Sequence, residues 1–147
     1  MSASTVPTST MYTYLMYRTT TTGTYAKLCD IKSCPDLGSE PQQIDVTTLS
    51  DDVRKYAPGV QDMRGMAFNA NYIASDYTKI QGLSNHQYQY AVWLGASSSG
   101  GVDTPDGSNG KWDWTGDIFV YKNGAGVNAP QDMTIIAFPS TKLGFTV

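Results

Sequence analysis

The stretch from Lys111 to Lys122 constrains this chain more than any other, because its side-chain character alternates residue by residue. Trp112, Trp114, Ile118 and Val120 fall on one side, and Asp113, Thr115 and Asp117 on the other. A period of two belongs to an extended strand, whose successive side chains point to opposite faces. One apolar and one polar face mean that one side packs on a core while the other meets solvent or a partner, the habit of antiparallel sheets. Such a strand needs neighbours to pair with.

The rest of the chain supplies them. Met11 to Arg18 is aromatic and apolar and reads as a strand; Tyr25 to Lys32 alternates weakly and reads as the next. Gln43 to Leu49 puts Ile44, Val46 and Thr48 on one side and predicts a half-buried strand. Ser50 to Gln61 reads as a polar loop with a Pro58-Gly59 turn, and Asp62 to Tyr72 returns to strand character. Ser75 supplies an N-cap, and Tyr77, Ile80 and Leu83 recur at helical intervals, so a single helix is expected over 76–85. Gln87 to Ala96 is a strand with Tyr88, Tyr90, Val92 and Leu94 on one face and Trp93 on the other. Ser97 to Gly110, rich in Ser, Gly and Asp, reads as a loop with no assigned role. Asn123-Gly124 matches a two-residue hairpin turn, leading to a last strand from Met133 to Phe138 and a short addition over Gly144 to Val147. Many short strands and one helix predict a mainly β chain, an antiparallel β-sandwich or barrel with a flanking helix. The organisation expected is an N-terminal arm over 1–10 followed by one β domain over 11–147.

Composition says what the surface is for. Charged residues are 16% of the chain, against about 25% in ordinary soluble domains. Ten tyrosines and many Thr, Ser, Gln and Asn fill the gap. Depleted charge with enriched Tyr, Trp and Met resembles interface composition. A net charge of −3 argues against a surface that grips nucleic acid or anionic lipid. Met1 to Thr10 has no basic start and no apolar run, and no segment approaches the roughly 18 apolar residues of a membrane helix. A soluble chain made in a cytoplasm, with no membrane partner, is the expectation.

Motifs that could carry chemistry each meet a simpler explanation. Gly124-Ala125-Gly126-Val127-Asn128-Ala129 fits a loose dinucleotide pattern, but Pro130 and a strand follow where a helix is required. His86 is the single histidine, stands at the expected helix end, and has no nucleophile elbow to serve. The pairs Asp51/Asp52, Asp103/Asp106 and Asp113/Asp117 read as solvated carboxylates, and Asp103 to Gly110 lacks the ligand pattern of a calcium loop. Cys29 and Cys34, with no further Cys or nearby His, are neither a disulfide scaffold nor a zinc site and read as two reduced thiols. No catalytic residue, cofactor or metal is expected, and the chain is not expected to be an enzyme.

The ordered text does resemble one family. Tyr25-Ala-Lys-Leu-Cys-Asp-Ile-Lys32, Pro35-Asp-Leu-Gly-Ser-Glu-Pro41, Ile44-Asp-Val-Thr-Thr-Leu-Ser-Asp51 and Tyr56-Ala-Pro-Gly-Val-Gln61 are similar to the N-terminal half of the tail tube (major tail) proteins of long-tailed bacteriophages. Gly116 to Tyr121, Gly124 to Asn128, Met133-Thr-Ile135 and Pro139-Ser-Thr141 are similar to the C-terminal half. The resemblance implies a β-sandwich-type subunit with a flanking helix, forming homohexameric rings that stack into a hollow virion tube, assembled in the host bacterial cytoplasm. It implies partners at the tube ends and interior: tape measure, tail terminator and distal tail proteins. DNA passes through the lumen on ejection without specific binding. In that family a long loop after an early strand reaches the neighbouring ring, which places Leu49, Ser50, Asp51, Asp52, Arg54, Lys55, Tyr56, Pro58 and Gly59 at an inter-ring contact. A lumen that lets DNA slide must avoid phosphate, since each Lys or Arg contact adds salt-sensitive affinity. Asp113, Thr115 and Asp117 are therefore the candidate lumen-facing residues. The tube subunit of a contractile injection device shares the architecture, and the Thr-Thr-Leu-Ser-Asp and Pro-Ser-Thr text leans toward the non-contractile tail. The alternative from another class is a carbohydrate- or ligand-binding β-sandwich using Trp112 and Trp114 as a sugar platform.

Overall fold

Alternation along the strands is realised as one antiparallel sheet of seven strands. The computed structural model describes residues 12–61 and 65–147, so the arm read at 1–10 and the strand start read at Asp62 lie outside it. The elements are β1 (Thr13–Arg18), β2 (Ala26–Cys29), β3 (Pro41–Asp45), β4 (Tyr56–Gln61), β5 (Met66–Asn71), α1 (Ala74–Leu83), β6 (Tyr88–Ser99), β7 (Val102–Lys122), β8 (Asp132–Pro139) and β9 (Gly144–Thr146). The large sheet runs β2-β1-β6-β7-β8-β5, with β9 also paired to β7, while β3 and β4 form a separate two-stranded ribbon. The sheet is curled into a half-barrel, so the fold is mainly β with a single short helix, as the sequence led one to expect.

The core lies on the inner face. Registered rows Ile118–Ala137–Met66 and Val120–Ile135–Phe68 cross β7, β8 and β5, and every member is buried. Tyr90 and Trp114 lie opposite each other, and Trp114 stacks on Phe68 with ring centroids 6.3 Å apart. Helix α1 closes this face by inserting Ile80 and Leu83. Trp114 therefore belongs to the core, and Trp112 packs on Phe145 of β9 at 4.9 Å. The pair makes no open sugar platform.

The helix runs over Ala74–Leu83 rather than 76–85, and Ser75 is inside its first turn instead of capping it. The sheet sets this start. The Tyr72 N–H donates to the Gln131 carbonyl at 2.8 Å, extending the β5–β8 ladder up to the point where the chain turns. At the other end Asn85 takes a left-handed conformation, φ 65°, and its N–H donates to Asp117 Oδ1 at 2.8 Å. An Asn just past a helix end is one of the few residues that tolerates this geometry.

Other expectations are corrected. The strand read as half-buried over Gln43–Leu49 is β3, shorter and exposed at every residue. The polar loop read over Ser50–Gln61 ends in a strand, since Tyr56–Gln61 is β4. The loop read over Ser97–Gly110 is strand on both sides of a tight turn at Gly100-Gly101, where φ is 61° and 80°. Two consecutive positive φ values define the turn type that glycine pairs favour in hairpins. Between Leu94↔Gly110 and Ala96↔Pro105, Gly95 alone stands opposite residues 106–109, a wide bulge that absorbs the extra chain. Asn123-Gly124 is no two-residue turn: the link from β7 to β8 occupies residues 123–131, closed by Asn123 N–H on the Asp132 carbonyl at 3.0 Å. The second strand is trimmed to Ala26–Cys29.

Gly116 marks the closest approach of β7 and β8. A Cβ there would collide with the Phe138 carbonyl oxygen, whereas one at Gly124 would meet nothing within 4 Å. Gly116→Ala should cost about 1–3 kcal/mol of stability as forced overpacking, and Gly124→Ala should stay within about 0.5 kcal/mol of the parent, both read from urea unfolding.

Candidate assembly surfaces

The residues expected at an inter-ring contact are gathered by the β3–β4 ribbon. Its tip, residues 46–55, is braced by its own polar side chains. The Thr48 N–H donates to Asp51 Oδ2 at 2.9 Å, the Thr47 N–H to Asp45 Oδ1 at 3.0 Å, and the Lys55 N–H to Thr47 Oγ1 at 2.8 Å. Lys55 Nζ pairs with Asp51 Oδ1 at 2.9 Å, and Arg54 with Asp45 at 3.3 Å. Hydrogen bonds from Lys55 and then Thr48 hold the Asp51 carboxyl below its ordinary 3.8, and those from Thr47 do the same for Asp45. With Asp45, Thr47, Thr48, Asp51, Arg54 and Lys55 bonded to one another, Leu49 stands fully exposed at the tip and Val53 close behind it. Tyr56, Pro58 and Gly59 are on β4, below the tip rather than in it.

The ribbon carries apolar side chains along its length too. Ile44 lies opposite Ala57, and Asp45 opposite Tyr56. Ile44, Val46, Tyr56 and Val60 are all exposed. Among the described residues the ribbon's extensive contacts are between its own two strands. Its base borders an open cleft of about 850 Å³ shared with Pro139 to Lys142, the turn after β8.

The candidate lumen residues lie on the outer face of β7, but not equivalently. Asp117 is withdrawn from open solvent chemistry: its Oδ1 accepts the N–H groups of Asn85 and of Ile118, at 2.8 and 2.7 Å. Thr115 is flanked by the turn after β8, whose Ser140 N–H donates to its carbonyl at 2.8 Å. Asp113 lies in the pairing with β9, opposite Gly144. The cations of the same face are seated on rings. Arg18 lies over Tyr25 at 4.5 Å and Lys111 over Trp93 at 4.3 Å, and the two rings meet edge to face at 5.6 Å. Burial pushes the Tyr25 hydroxyl above its ordinary value, with Arg18 opposing the shift.

One surface had no counterpart in the sequence reading. Further along the outer face, Phe119 lies opposite Ile136, Ile136 opposite Ala67, and Phe138 opposite Asp117. Phe119 is 52% and Phe138 49% exposed. The signal was present in the alternation, because once Ile118 and Val120 point inward, Phe119 and Tyr121 must point out.

The residues set aside as non-catalytic stay apart. His86 stacks on Tyr88 at 5.0 Å, just beyond the helix. Both cysteines are free thiols; Cys29 is buried and Cys34 exposed, and burial pushes the Cys29 thiol up to about 12. Gly124 to Ala129 lies in the loop between β7 and β8, with no helix after it. Asp103 and Asp106 are in β7, and Asp106 Oδ1 accepts the Ser108 N–H at 3.0 Å within the bulge. No cluster of three or more His, Cys, Asp or Glu suited to a metal occurs among the described residues, and no helix there is long and apolar enough to cross a membrane.

The overall fold is shared with chains of two assemblies of known structure. A chain of the anti-feeding prophage baseplate, determined by cryo-EM with 6-fold symmetrisation, matches with a TM-score of 0.66 at 5% identity, over 97% of each chain. A chain from the sheath/tube terminator of an extracellular contractile injection system in its extended state matches with a TM-score of 0.62 at 12% identity, over 99% of this chain and 100% of the other. At these identities the likeness is one of fold. No protein-family model and no curated protein matches the sequence.

Two measurements check the site chemistry. A carboxyl whose folded pKa is depressed adds stability that is present above its unfolded value and lost as pH falls through the folded one. The Thr47 and Thr48 amide NMR signals should therefore titrate with midpoints below 3.8, and Asp51→Asn should abolish the Thr48 transition alone. A thiol reagent at pH 8 should modify Cys34 in the native protein and Cys29 only in denaturant.

Proposed function

We propose that this chain is a structural, non-enzymatic subunit of the tail of a long-tailed phage or a phage-tail-like particle, of the tube-forming type. Six copies close a ring, and rings stack into a hollow conduit that, in a phage, passes DNA into the host cell. The observation that carries the reading is the end-to-end likeness of fold to chains of two tail-like assemblies, with almost nothing left over in either partner. Both assemblies are contractile or tail-like injection particles, so the reading extends to contractile devices and does not keep the lean toward non-contractile tails.

The surfaces support it. A ribbon that shows Leu49 and Val53 to solvent while pairing Arg54 with Asp45 and Lys55 with Asp51 suits a contact with another subunit, here the next ring. Seating Arg18 and Lys111 on aromatic rings, beside Asp113 and Thr115, suits an outer face that lines a lumen without holding phosphate. Asp117 contributes charge there but spends its hydrogen bonds on the backbone. Tape measure, terminator and distal tail proteins are the partners this reading expects.

Negative-stain electron microscopy across a concentration series should show hollow sixfold rings or tubes. Tyr56→Ala combined with Asp52→Lys changes two exposed ribbon residues and should stop tube growth while far-UV circular dichroism stays as in the parent. Normal tubes from that variant would remove the ribbon from the inter-ring contact, and a chain that stays monomeric with a tail initiator supplied would count against the tube reading itself.

A further inference from the structure

The Asn123-Gly124 pair makes no tight turn, and its surroundings suit it to a different chemistry. A glycine carries no Cβ, so the backbone nitrogen that follows an Asn-Gly asparagine is unshielded and free to turn. That nitrogen can attack the carboxamide one residue back. Three features of the fold favour attack here. Asn123 is anchored just past β7: its N–H donates to the Asp132 carbonyl at 3.0 Å, and its Oδ1 accepts the Thr134 hydroxyl at 2.7 Å. Among the described residues its Nδ2 reaches Asn69 Oδ1 alone, at a long 3.5 Å, so the group that must leave is weakly held. Gly124 opens an exposed loop, donates no backbone bond among the described residues, and a Cβ there would meet nothing within 4 Å. The chain's other Asn-Gly pair has the opposite setting. Asn109-Gly110 lies inside β7, Gly110 stands opposite Leu94 and is buried, and a Cβ on it would press on the Phe145 and Trp112 rings at 3.0 and 3.2 Å.

We propose that Asn123-Gly124 is a self-modifying site, at which the native fold, through Thr134, directs deamidation. The Gly124 nitrogen bonds to Asn123 Cγ, the Cγ–Nδ2 bond breaks, and ammonia leaves with the proton that the Gly124 nitrogen gives up. A five-membered succinimide results. Solvent water then adds to either ring carbonyl and breaks that carbon's bond to the ring nitrogen, giving an aspartate or a β-linked isoaspartate. No oxidant, reductant or cofactor enters. During attack the carboxamide oxygen gathers negative charge, and the Thr134 hydroxyl already donates to it. The aspartate form adds one negative charge to the face where Asn69 and Thr134 lie opposite each other on β5 and β8. The isoaspartate form lengthens the main chain by one methylene at the joint between β7 and its loop. The site does not depend on the tube reading. In a subunit built once into a particle and not renewed, the change accumulates with age.

The test holds the full chain in mildly alkaline buffer and follows both Asn-Gly pairs by proteolytic mapping and mass spectrometry. The Asn123-Gly124 peptide should gain the mass difference between amide and carboxyl, as two products of equal mass. It should do so about tenfold faster than the Asn109-Gly110 peptide, which must wait for local opening of β7. In urea the two rates should converge. Gly124→Ala should lose most of the conversion, and Thr134→Val should slow it about fivefold, the worth of one hydrogen bond. Thr134→Ser keeps the hydroxyl and should convert like the parent, with far-UV circular dichroism confirming the fold of each variant. Equal native rates, or faster change at Asn109, would overturn the inference. So would an Asn123 that stays intact in the native chain while both pairs convert in urea, or a conversion that Thr134→Val does not slow.

Discussion

Everything in this chain leans on β7. It pairs with β6 along one edge and with both β8 and β9 along the other, and α1 packs across its inner face. A strand in that position must satisfy three neighbours with one sequence, and its inner-face positions are apolar from Trp112 to Val120 except at Gly116. Trp114, Ile118 and Val120 then define the core, and the remaining side chains of the strand are committed to the outer face whatever their chemistry. The exposure of Phe119 follows from a core requirement one residue away.

The same constraint explains what was legible in the sequence. The strands around β7 declare themselves, because burial on one face enforces the period of two. Tyr90, Val92, Ile135 and Ala137 fall into place for that reason. The helix was visible from Ile80 and Leu83, but its start was not, since Tyr72 is held extended by a partner 59 residues away in the chain, Gln131, rather than by any local cap. The ribbon was misread for the opposite reason. Ile44 and Val46 alternate as core residues do, yet no core lies behind them, and a period of two cannot say whether the apolar side faces a core or another subunit.

Turn chemistry divides in the same way. Gly100-Gly101 makes the tight hairpin that Asn123-Gly124 appeared able to make, and the difference lies outside the dipeptides. Ser99 and Val102 are in register at the turn, whereas Lys122 pairs with Met133 and the residues between must span a longer excursion. The candidate site is likewise half legible. Charged and polar residues at 45–55 mark an exposed tip, but their mutual bonding, which leaves Leu49 as the outermost group, emerges only from the folded hairpin.

The two prolines of the ribbon carry a mechanical consequence. Pro41 lies opposite Gln61 and Pro58 opposite Gln43, so each strand lacks a backbone donor where a further strand would otherwise add. The ribbon can offer side chains to a neighbour but is a poor template for continuing a ladder of backbone bonds. Contacts of that kind tolerate small slips, because sliding one apolar surface over another breaks no directional bond. A joint made through this ribbon would therefore give way by sliding, while the ladders inside the chain keep the subunit itself stiff.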